Sequence, residues 1–117
     1  MIPKHIHQTW KSGLVPEQFR NYVDSWRKHH PEWQYTLWTD EMNRDFIAQH
    51  YPGFLPVFDA YPLAIQRVDA VRYFILNTYG GIFVDLDFEC LRNTEPLLRE
   101  ANFVAGKEPP EHALDHR

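Results

Sequence analysis

The sequence has a single cysteine, Cys90, among 117 residues, so no intrachain disulfide can form. A lone thiol is typical of proteins from reducing compartments. The sequence has no apolar run of the roughly 18 residues that suggest a membrane-spanning helix. Its first residues lack the apolar block of a signal peptide. These absences predict a cytoplasmic protein, with no transmembrane segment in this chain.

Basic charge is also scarce. The chain has 12 Lys and Arg against 16 Asp and Glu, which gives a net charge of −4. Proteins that bind nucleic acids in general need an excess of positive charge against the phosphates, so we expect no nucleic-acid partner. The apolar fraction of 44% and the charged fraction of 24% are those of an ordinary globular protein. The length predicts one domain, residues 1–117.

Hydrophobic periodicity predicts helices and strands in alternation. Strands are expected at residues 4–9 and 34–38, at the apolar triplet Ile82-Phe83-Val84, and at residues 102–105. Helices are expected from Pro16 to Pro31, from the capping residues Thr39 or Asp40, in part of residues 51–62, and from about 63 to Gly80-Gly81. The first helix has an apolar stripe of Phe19, Tyr22, Val23 and Trp26. The second has Met42, Phe46 and Ile47, and the last has Ile65, Val68, Val71, Phe74 and Ile75.

This order of elements predicts an α/β fold with a mostly parallel sheet. The apolar triplet at residues 82–84 is typical of a buried central strand. Residues 108–112 are expected to form a loop, and the residues after Pro110 complete no obvious element. We therefore expect the chain to be the N-terminal part of a longer catalytic domain.

Two carboxylates, Asp85 and Asp87, follow the apolar triplet directly. On an extended segment, residues two apart project to the same side. At the carboxyl end of a strand they would face the crevice where open α/β sheets bind ligands. Carboxylate oxygens there can hold a divalent cation, which would neutralise a diphosphate leaving group. An Asp-x-Asp pair is weak alone, and its position after a helix, two glycines and a strand makes it more specific.

Asp69 and Arg72 lie three apart on the long helix. They could form an ordinary intrahelical ion pair, or Asp69 could bind sugar hydroxyls while Arg72 binds phosphate or sugar oxygens. Trp10, at the end of the first strand, could fill the core or stack on a base. From the sequence alone, core filling is the better interpretation for Trp10.

The remaining chemical side chains favour structural roles. His5 and His7 share a strand face, and a zinc pair is conceivable, but no third ligand has a recognisable spacing. His29-His30 end a helix, where a cationic ring complements the helix dipole. Cys90 is expected to be a small buried residue, because no histidine lies at a spacing that indicates an activated thiolate. Core positions are expected for Trp26, Trp33 and Trp38.

Several segments occur together in order: residues 2–10 (IPKHIHQTW), Ser25-Trp26, residues 35–38 (YTLW), and residues 67–73 (RVDAVRY) followed by 79–87 (YGGIFVDLD). Together they resemble the glycosyltransferases of the D-x-D sugar-binding group, family 32. That group includes yeast initiating α-1,6-mannosyltransferases and is similar to the clostridial toxin glucosyltransferase domains. The resemblance covers residues 2 to about 106.

The resemblance implies a GT-A fold, a Rossmann-like nucleotide-binding sandwich, and retaining transfer of a sugar from a UDP- or GDP-sugar. It implies a divalent cation, Mn²⁺ or Mg²⁺, and a carbohydrate or glycolipid acceptor, through which the protein could be peripheral at a membrane. Members of the group have a C-terminal half that completes the metal shell and builds the acceptor pocket.

The resemblance also implies roles for individual residues. Trp10 would stack on the nucleotide base, with Thr9 beside it in the donor site. Asp69 and Arg72 would hold the donor sugar and phosphate. Asp85 would contact ribose or sugar and Asp87 would bind the metal, which makes this pair the candidate catalytic residues.

Two alternatives remain open. Phosphatases of the haloacid dehalogenase type also place Asp-x-Asp after an apolar strand. Their motif continues with Thr or Val where this chain has Glu89, and their strand usually begins the chain. The other alternative is a module that binds a nucleotide sugar without transferring it, or an inert fragment.

Overall fold

The computed structural model describes residues 2–96, and the strand predicted at residues 102–105 lies outside this range. The elements are β1 (His5–Thr9), α1 (Glu17–His29), β2 (Gln34–Trp38), α2 (Asp40–His50), a 3₁₀ turn (Pro52–Phe54), α3 (Leu55–Ala60), α4 (Ala64–Tyr79) and β3 (Ile82–Phe83). This order confirms the predicted alternation. Among the described residues, no helix is both long and apolar enough to cross a bilayer.

The three strands form a parallel sheet in the order β2-β1-β3. Ile6 pairs with Tyr35 on one side and with Ile82 on the other. The prediction of a parallel sheet is confirmed. The prediction that β3 is central is wrong for the described sheet, since β1 occupies the middle and β3 an edge. A short apolar strand indicates burial, which here comes from the packed helices and does not require a partner strand on both sides.

Helices cover both faces of the sheet. On one face, α1 contributes Trp26 to a cluster with Ile6, Trp33, Val84 and Cys90. On the other face, α2, α3 and α4 pack around Trp38 in a cluster that also contains Phe46, Ile47, Phe58, Val71 and Ile75. The three predicted core tryptophans are therefore buried.

Two residues of the predicted apolar stripes are exposed to solvent. Met42 is 37% exposed and Ile65 is 58% exposed. In α2 the buried face runs through Asn43, Phe46 and Ile47, at the spacing of one helix face, and this turns Met42 toward solvent. Thr39 caps this helix as predicted, because its hydroxyl accepts a hydrogen bond from the Met42 amide at 3.2 Å.

Two glycines join α4 to β3, and both have a positive φ, 68° at Gly80 and 89° at Gly81. A Cβ on Gly80 would lie 2.6 Å from Cγ of Pro3, and a Cβ on Gly81 would overlap the carbonyl oxygen of His5. Glycine is therefore required here both for the backbone conformation and for the close approach of β1. We call this region, Pro3, His5, His7, Gly80 and Gly81, the glycine junction.

Candidate functional site

The carboxyl ends of the three parallel strands meet at one edge of the sheet. Hydrogen bonding continues just past the strands there, since the Val84 amide donates to the His7 carbonyl at 2.9 Å and the Trp10 amide donates to the Trp38 carbonyl at 3.0 Å. Helix α4 ends at the glycine junction, which lies near the amino ends of β1 and β3, and so runs away from this edge, with Arg72 in contact with Asp85. We call Trp10, Asp69, Arg72, Asp85 and Asp87 the carboxyl edge.

The two carboxylates lie in a turn. The Phe88 amide donates to the Asp85 carbonyl at 3.2 Å, which places Leu86 and Asp87 at its centre. Asp85 and Asp87 are exposed, and Leu86 between them is only 6% exposed. The expectation of an extended Asp-x-Asp segment is therefore wrong, because β3 ends at Phe83 and the chain turns to bury Leu86. Both carboxylates are nevertheless presented to solvent.

Arg72 and Asp85 form an ion pair, with Nη2 of Arg72 at 2.5 Å from Oδ1 of Asp85. The Arg72 side chain is 22% exposed and that of Asp85 is 47% exposed. The guanidinium also lies over the Phe83 ring, 5.0 Å from its centroid. Its Nε is buried and has no hydrogen-bond partner among residues 2–96. The structure thus joins two of the predicted site elements, the Arg72 helix and the Asp-x-Asp turn.

A side chain of β1 is hydrogen-bonded to the backbone of Asp85. Gln8 is buried, and its Nε2 donates to the Asp85 carbonyl at 3.4 Å. The Tyr35 hydroxyl in turn donates to Oε1 of Gln8 at 2.7 Å. Burial raises the pKa of Tyr35 to about 12, so its hydroxyl keeps its proton at neutral pH. The sequence reasoning missed Gln8 and Tyr35, although a glutamine in an otherwise buried strand was a usable signal.

Trp10 is half-buried and lies edge-on to Phe19, with ring centroids 6.1 Å apart. Among the described residues it belongs to neither hydrophobic cluster. The Thr9 hydroxyl donates to the Trp38 carbonyl at 2.9 Å. This placement at the carboxyl edge is compatible with base stacking by Trp10, and the donor-site roles of Thr9 and Trp10 stay predictions.

The histidines of β1 are held by the protein itself. Nδ1 of His7 accepts from the Trp38 indole at 3.1 Å, so Nε2 carries the proton and donates to the Gly80 carbonyl at 2.8 Å. Burial lowers the pKa of His7 to about 4, and the nearby His5 adds to this effect. His5 Nε2 lies 2.7 Å from the Thr36 hydroxyl. These contacts support the structural interpretation over a zinc pair.

His30 and Cys90 meet in the core under α1. The Thr94 amide donates to Nε2 of His30 at 3.1 Å, and Nδ1 donates to the Trp26 carbonyl at 3.1 Å. Because Nε2 of His30 accepts this hydrogen bond and burial lowers the pKa of the ring, the expectation of a cationic ring is wrong for His30. Sγ of Cys90 lies 3.9 Å from Nδ1 of His30, a neighbour that sequence spacing did not reveal. Cys90 is only 4% exposed, which confirms the predicted burial, and this burial raises the pKa of its thiol.

The carboxyl edge offers few protein ligands for a metal. Within residues 2–96 no three or more His, Cys, Asp and Glu side chains cluster closely enough to hold an ion. Asp85 and Asp87 supply hard oxygen atoms, which suit Mg²⁺ or Mn²⁺ when phosphate oxygens and water complete the shell. The donor set therefore fits a cation that arrives with a diphosphate.

A separate cavity of about 610 Å³ lies between α2, α3 and the start of α4. Its lining includes Arg67 and Val68, next to Asp69 in α4, and Asp40 and Glu41 at the start of α2. Neither Asp85 nor Asp87 is part of this lining. The cavity thus lies beside the part of α4 that carries Asp69, and it is distinct from the Asp-x-Asp turn.

Comparison with known families matches residues 16–104 to the glycosyltransferase sugar-binding region containing the DXD motif. The chain belongs to this DXD glycosyltransferase family. The matched range contains α4, the Asp-x-Asp turn and the ion pair between Arg72 and Asp85. Enzymes of the DXD family generally use divalent cations, in agreement with the oxygen ligands of the carboxyl edge.

The curated relatives of this chain include proteins named for mannosyl transfer. Inositol phosphoceramide mannosyltransferase 2 of Schizosaccharomyces pombe is 50% identical over 93% of this chain and 32% of its own length. Mannosyl phosphorylinositol ceramide synthase CSH1 of Saccharomyces cerevisiae is 48% identical over 93% of this chain and 29% of its own length. The initiation-specific alpha-1,6-mannosyltransferase of the same yeast is 33% identical over 78% of this chain and 21% of its own length.

The chain spans about a third of the length of the first two of these relatives, with 32% and 29% of their residues matched. No solved structure gives a significant match.

Proposed function

We propose that this chain is the donor-binding part of a metal-dependent mannosyltransferase. It would take mannose from a nucleoside diphosphate sugar and transfer it to a hydroxyl of an inositol phosphoceramide-type glycolipid. The observation that carries the proposal is the ion pair between Arg72 and Asp85, beside Asp87 at the carboxyl edge. This arrangement places the Arg72 guanidinium and two carboxylates at the edge of the sheet where α/β folds bind nucleotides.

The chemistry of these side chains suits a nucleotide sugar. Arg72 is a planar, permanently charged donor that can meet phosphate or sugar oxygens. Asp85, held by Arg72 and through its backbone by Gln8, is oriented to accept hydrogen bonds from ribose or sugar hydroxyls. Asp87 is exposed and is the residue that would ligate the cation, with Asp69 as a further hydroxyl acceptor on α4. The bound cation would neutralise the charge that develops on the departing diphosphate.

The acceptor assignment rests on the relatives. Two of them, named for inositol phosphoceramide mannosylation, are 50% and 48% identical to this chain. The alpha-1,6-mannosyltransferase is 33% identical over a smaller share of it. This contrast favours the glycolipid acceptor over a glycan acceptor. A protein that acts on such a lipid would work at a membrane surface.

The proposal also includes a GT-A fold and retention of configuration at the transferred sugar. The parallel sheet with helices on both faces, and the Asp-x-Asp turn directly after β3, support the GT-A assignment. Retention rests on the family resemblance.

Calorimetry on the full-length protein tests the proposal. GDP-mannose and UDP-glucose are titrated separately, with Mn²⁺ and with EDTA. We expect saturable, Mn²⁺-dependent binding of GDP-mannose, weaker or no binding of UDP-glucose, and a loss of at least about tenfold in GDP-mannose affinity for Asp87→Asn. Asp24→Asn is the matched control, since Asp24 is an exposed aspartate on α1, and it is expected to bind as the wild type does.

The outcomes separate the candidate functions. Transfer of mannose to inositol phosphoceramide in the same preparation supports the full proposal. Donor binding without transfer to any acceptor favours the binding module. Absence of Mn²⁺-dependent nucleotide-sugar binding, or unchanged affinity in Asp87→Asn, contradicts the proposal.

A further inference from the structure

The segment that follows the Asp-x-Asp turn is tied to one face of α1. The Trp26 indole donates from Nε1 to the Phe88 carbonyl at 2.8 Å. The Cys90 amide donates to the Ser25 hydroxyl at 2.8 Å, and the Thr94 amide donates to His30 Nε2 at 3.1 Å. The side chains of two α1 residues and of His30, the residue that caps this helix, therefore bind three backbone groups of residues 88–94.

Both backbone polar groups of Phe88 are hydrogen-bonded. Its amide donates to the Asp85 carbonyl, which closes the turn, and its carbonyl accepts from Trp26. The Phe88 side chain itself is 57% exposed and contributes little packing. The backbone on the C-terminal side of Asp87 is therefore fixed by hydrogen bonds, among them the one from Trp26.

We propose that Trp26 and Ser25 are positioning residues, which fix the backbone after Asp87 so that its carboxylate is presented to the cation. This inference rests on the proposed function, since it assigns Asp87 to the metal. A carboxylate on an exposed turn has many orientations, and ordering them before the ligand arrives lowers the entropic cost of binding. A partner on a rigid helix supplies that order more effectively than a loop does.

The chain offers a matched control in Trp33. Trp26 and Trp33 lie in the same hydrophobic cluster and are 8% and 9% exposed. The indole nitrogen of Trp33 has no hydrogen-bond partner among residues 2–96. Replacing either ring with Phe removes similar buried volume, but only Trp26→Phe removes the hydrogen bond to Phe88.

The experiment measures Mn²⁺-dependent GDP-mannose affinity by calorimetry and melting temperature for both variants in the full-length protein. We expect Trp26→Phe to weaken affinity at least about tenfold and Trp33→Phe to change it less than about threefold, at comparable losses of melting temperature. Equal effects of the two variants on affinity would show that Trp26 acts through the core alone, and would overturn the inference.

A second pair of variants keeps the test decisive if both Phe variants fold poorly. Ser25→Ala removes the acceptor of the Cys90 amide, whereas Ser25→Thr retains a hydroxyl. Amide hydrogen exchange without metal should show faster exchange at Cys90 in Ser25→Ala and recovery in Ser25→Thr, with Mn²⁺-dependent GDP-mannose affinity following the same order. Faster exchange with unchanged affinity overturns the positioning role. Absence of donor binding in the wild type overturns the proposed function as well, so the two failures are distinguishable.

Discussion

The glycine junction lies toward the amino ends of β1 and β3, and the carboxyl edge lies at the opposite end of the sheet. Polar groups at the two places have opposite environments. At the junction His7 is fully buried and both of its ring nitrogens are hydrogen-bonded. At the carboxyl edge Asp85 and Asp87 are exposed, and Arg72 has a nitrogen without a partner among the described residues.

Because of this difference, we expect the two regions to contribute to different properties, one to folding stability and the other to ligand binding. A buried, fully paired group has its partners in the folded chain, so replacing it costs folding free energy. An exposed charge is solvated with or without its neighbour, so its replacement changes stability little. Substitutions at the junction should therefore affect unfolding, and substitutions at the carboxyl edge should affect ligand binding.

The largest effect is expected for Gly81→Ala. The added Cβ would overlap the His5 carbonyl, and Gly81 has a φ of 89°, which alanine rarely adopts. We expect a loss of about 4 kcal/mol or more in the free energy of unfolding, measured by urea denaturation. Gly13→Ala is the control, because a Cβ there meets no atom within 4 Å. Similar stability of the two variants would contradict the close packing of the junction.

The next effect is a pH dependence from His7. The pKa of His7 is about 4 in the folded chain against an ordinary value of 6.5, because burial disfavours the charged ring. The unfolded chain therefore takes up the proton first as the pH falls. Stability from neutral His7 is complete above about pH 6.5 and is lost as the pH falls toward 4, by about 3 kcal/mol in all.

Urea denaturation between pH 7 and 4 measures this loss. Carboxylates, His5 and His30 also titrate in or near that window, so wild type is compared with His7→Gln, which keeps a donor for the Gly80 carbonyl and carries no titrating ring. We expect a shallower decline of stability with falling pH in His7→Gln. Parallel curves for the two proteins would show that His7 is not the group responsible.

The same contrast explains what the sequence could reveal. Helix and strand positions depend on local signals, such as the Thr39 cap and Gly80-Gly81, and these were predicted. The hydrogen bond from Gln8 to the Asp85 carbonyl and the contact of Arg72 with the Asp85 carboxylate join residues 13 or more apart. Periodicity carries no information on such pairs. The candidate residues could be named from the family's motifs, but the contacts that orient them required the fold.

The smallest effect on stability, with a clear effect on function, is expected for Arg72→Lys. The variant keeps the positive charge but loses the planar fork that meets two oxygens at once. Because the pair with Asp85 is partly exposed, we expect a change of about 1 kcal/mol or less in unfolding free energy. We expect kcat/KM for mannosyl transfer by the full-length protein to fall at least about tenfold, which corresponds to about 1.4 kcal/mol.

Arg27→Lys is the matched control for this prediction. Arg27 also lies over an aromatic ring, 5.4 Å from the Tyr35 centroid, compared with 5.0 Å between Arg72 and Phe83. The loss of ring stacking is thus common to both variants, and the loss of contact with Asp85 is specific to Arg72. Asp69→Asn is assayed in parallel. It removes the negative charge three residues before Arg72 on α4 and should also lower kcat/KM. Wild-type rates in both Arg72→Lys and Asp69→Asn would exclude α4 from the donor site and leave Arg72 with only the role of neutralising Asp85.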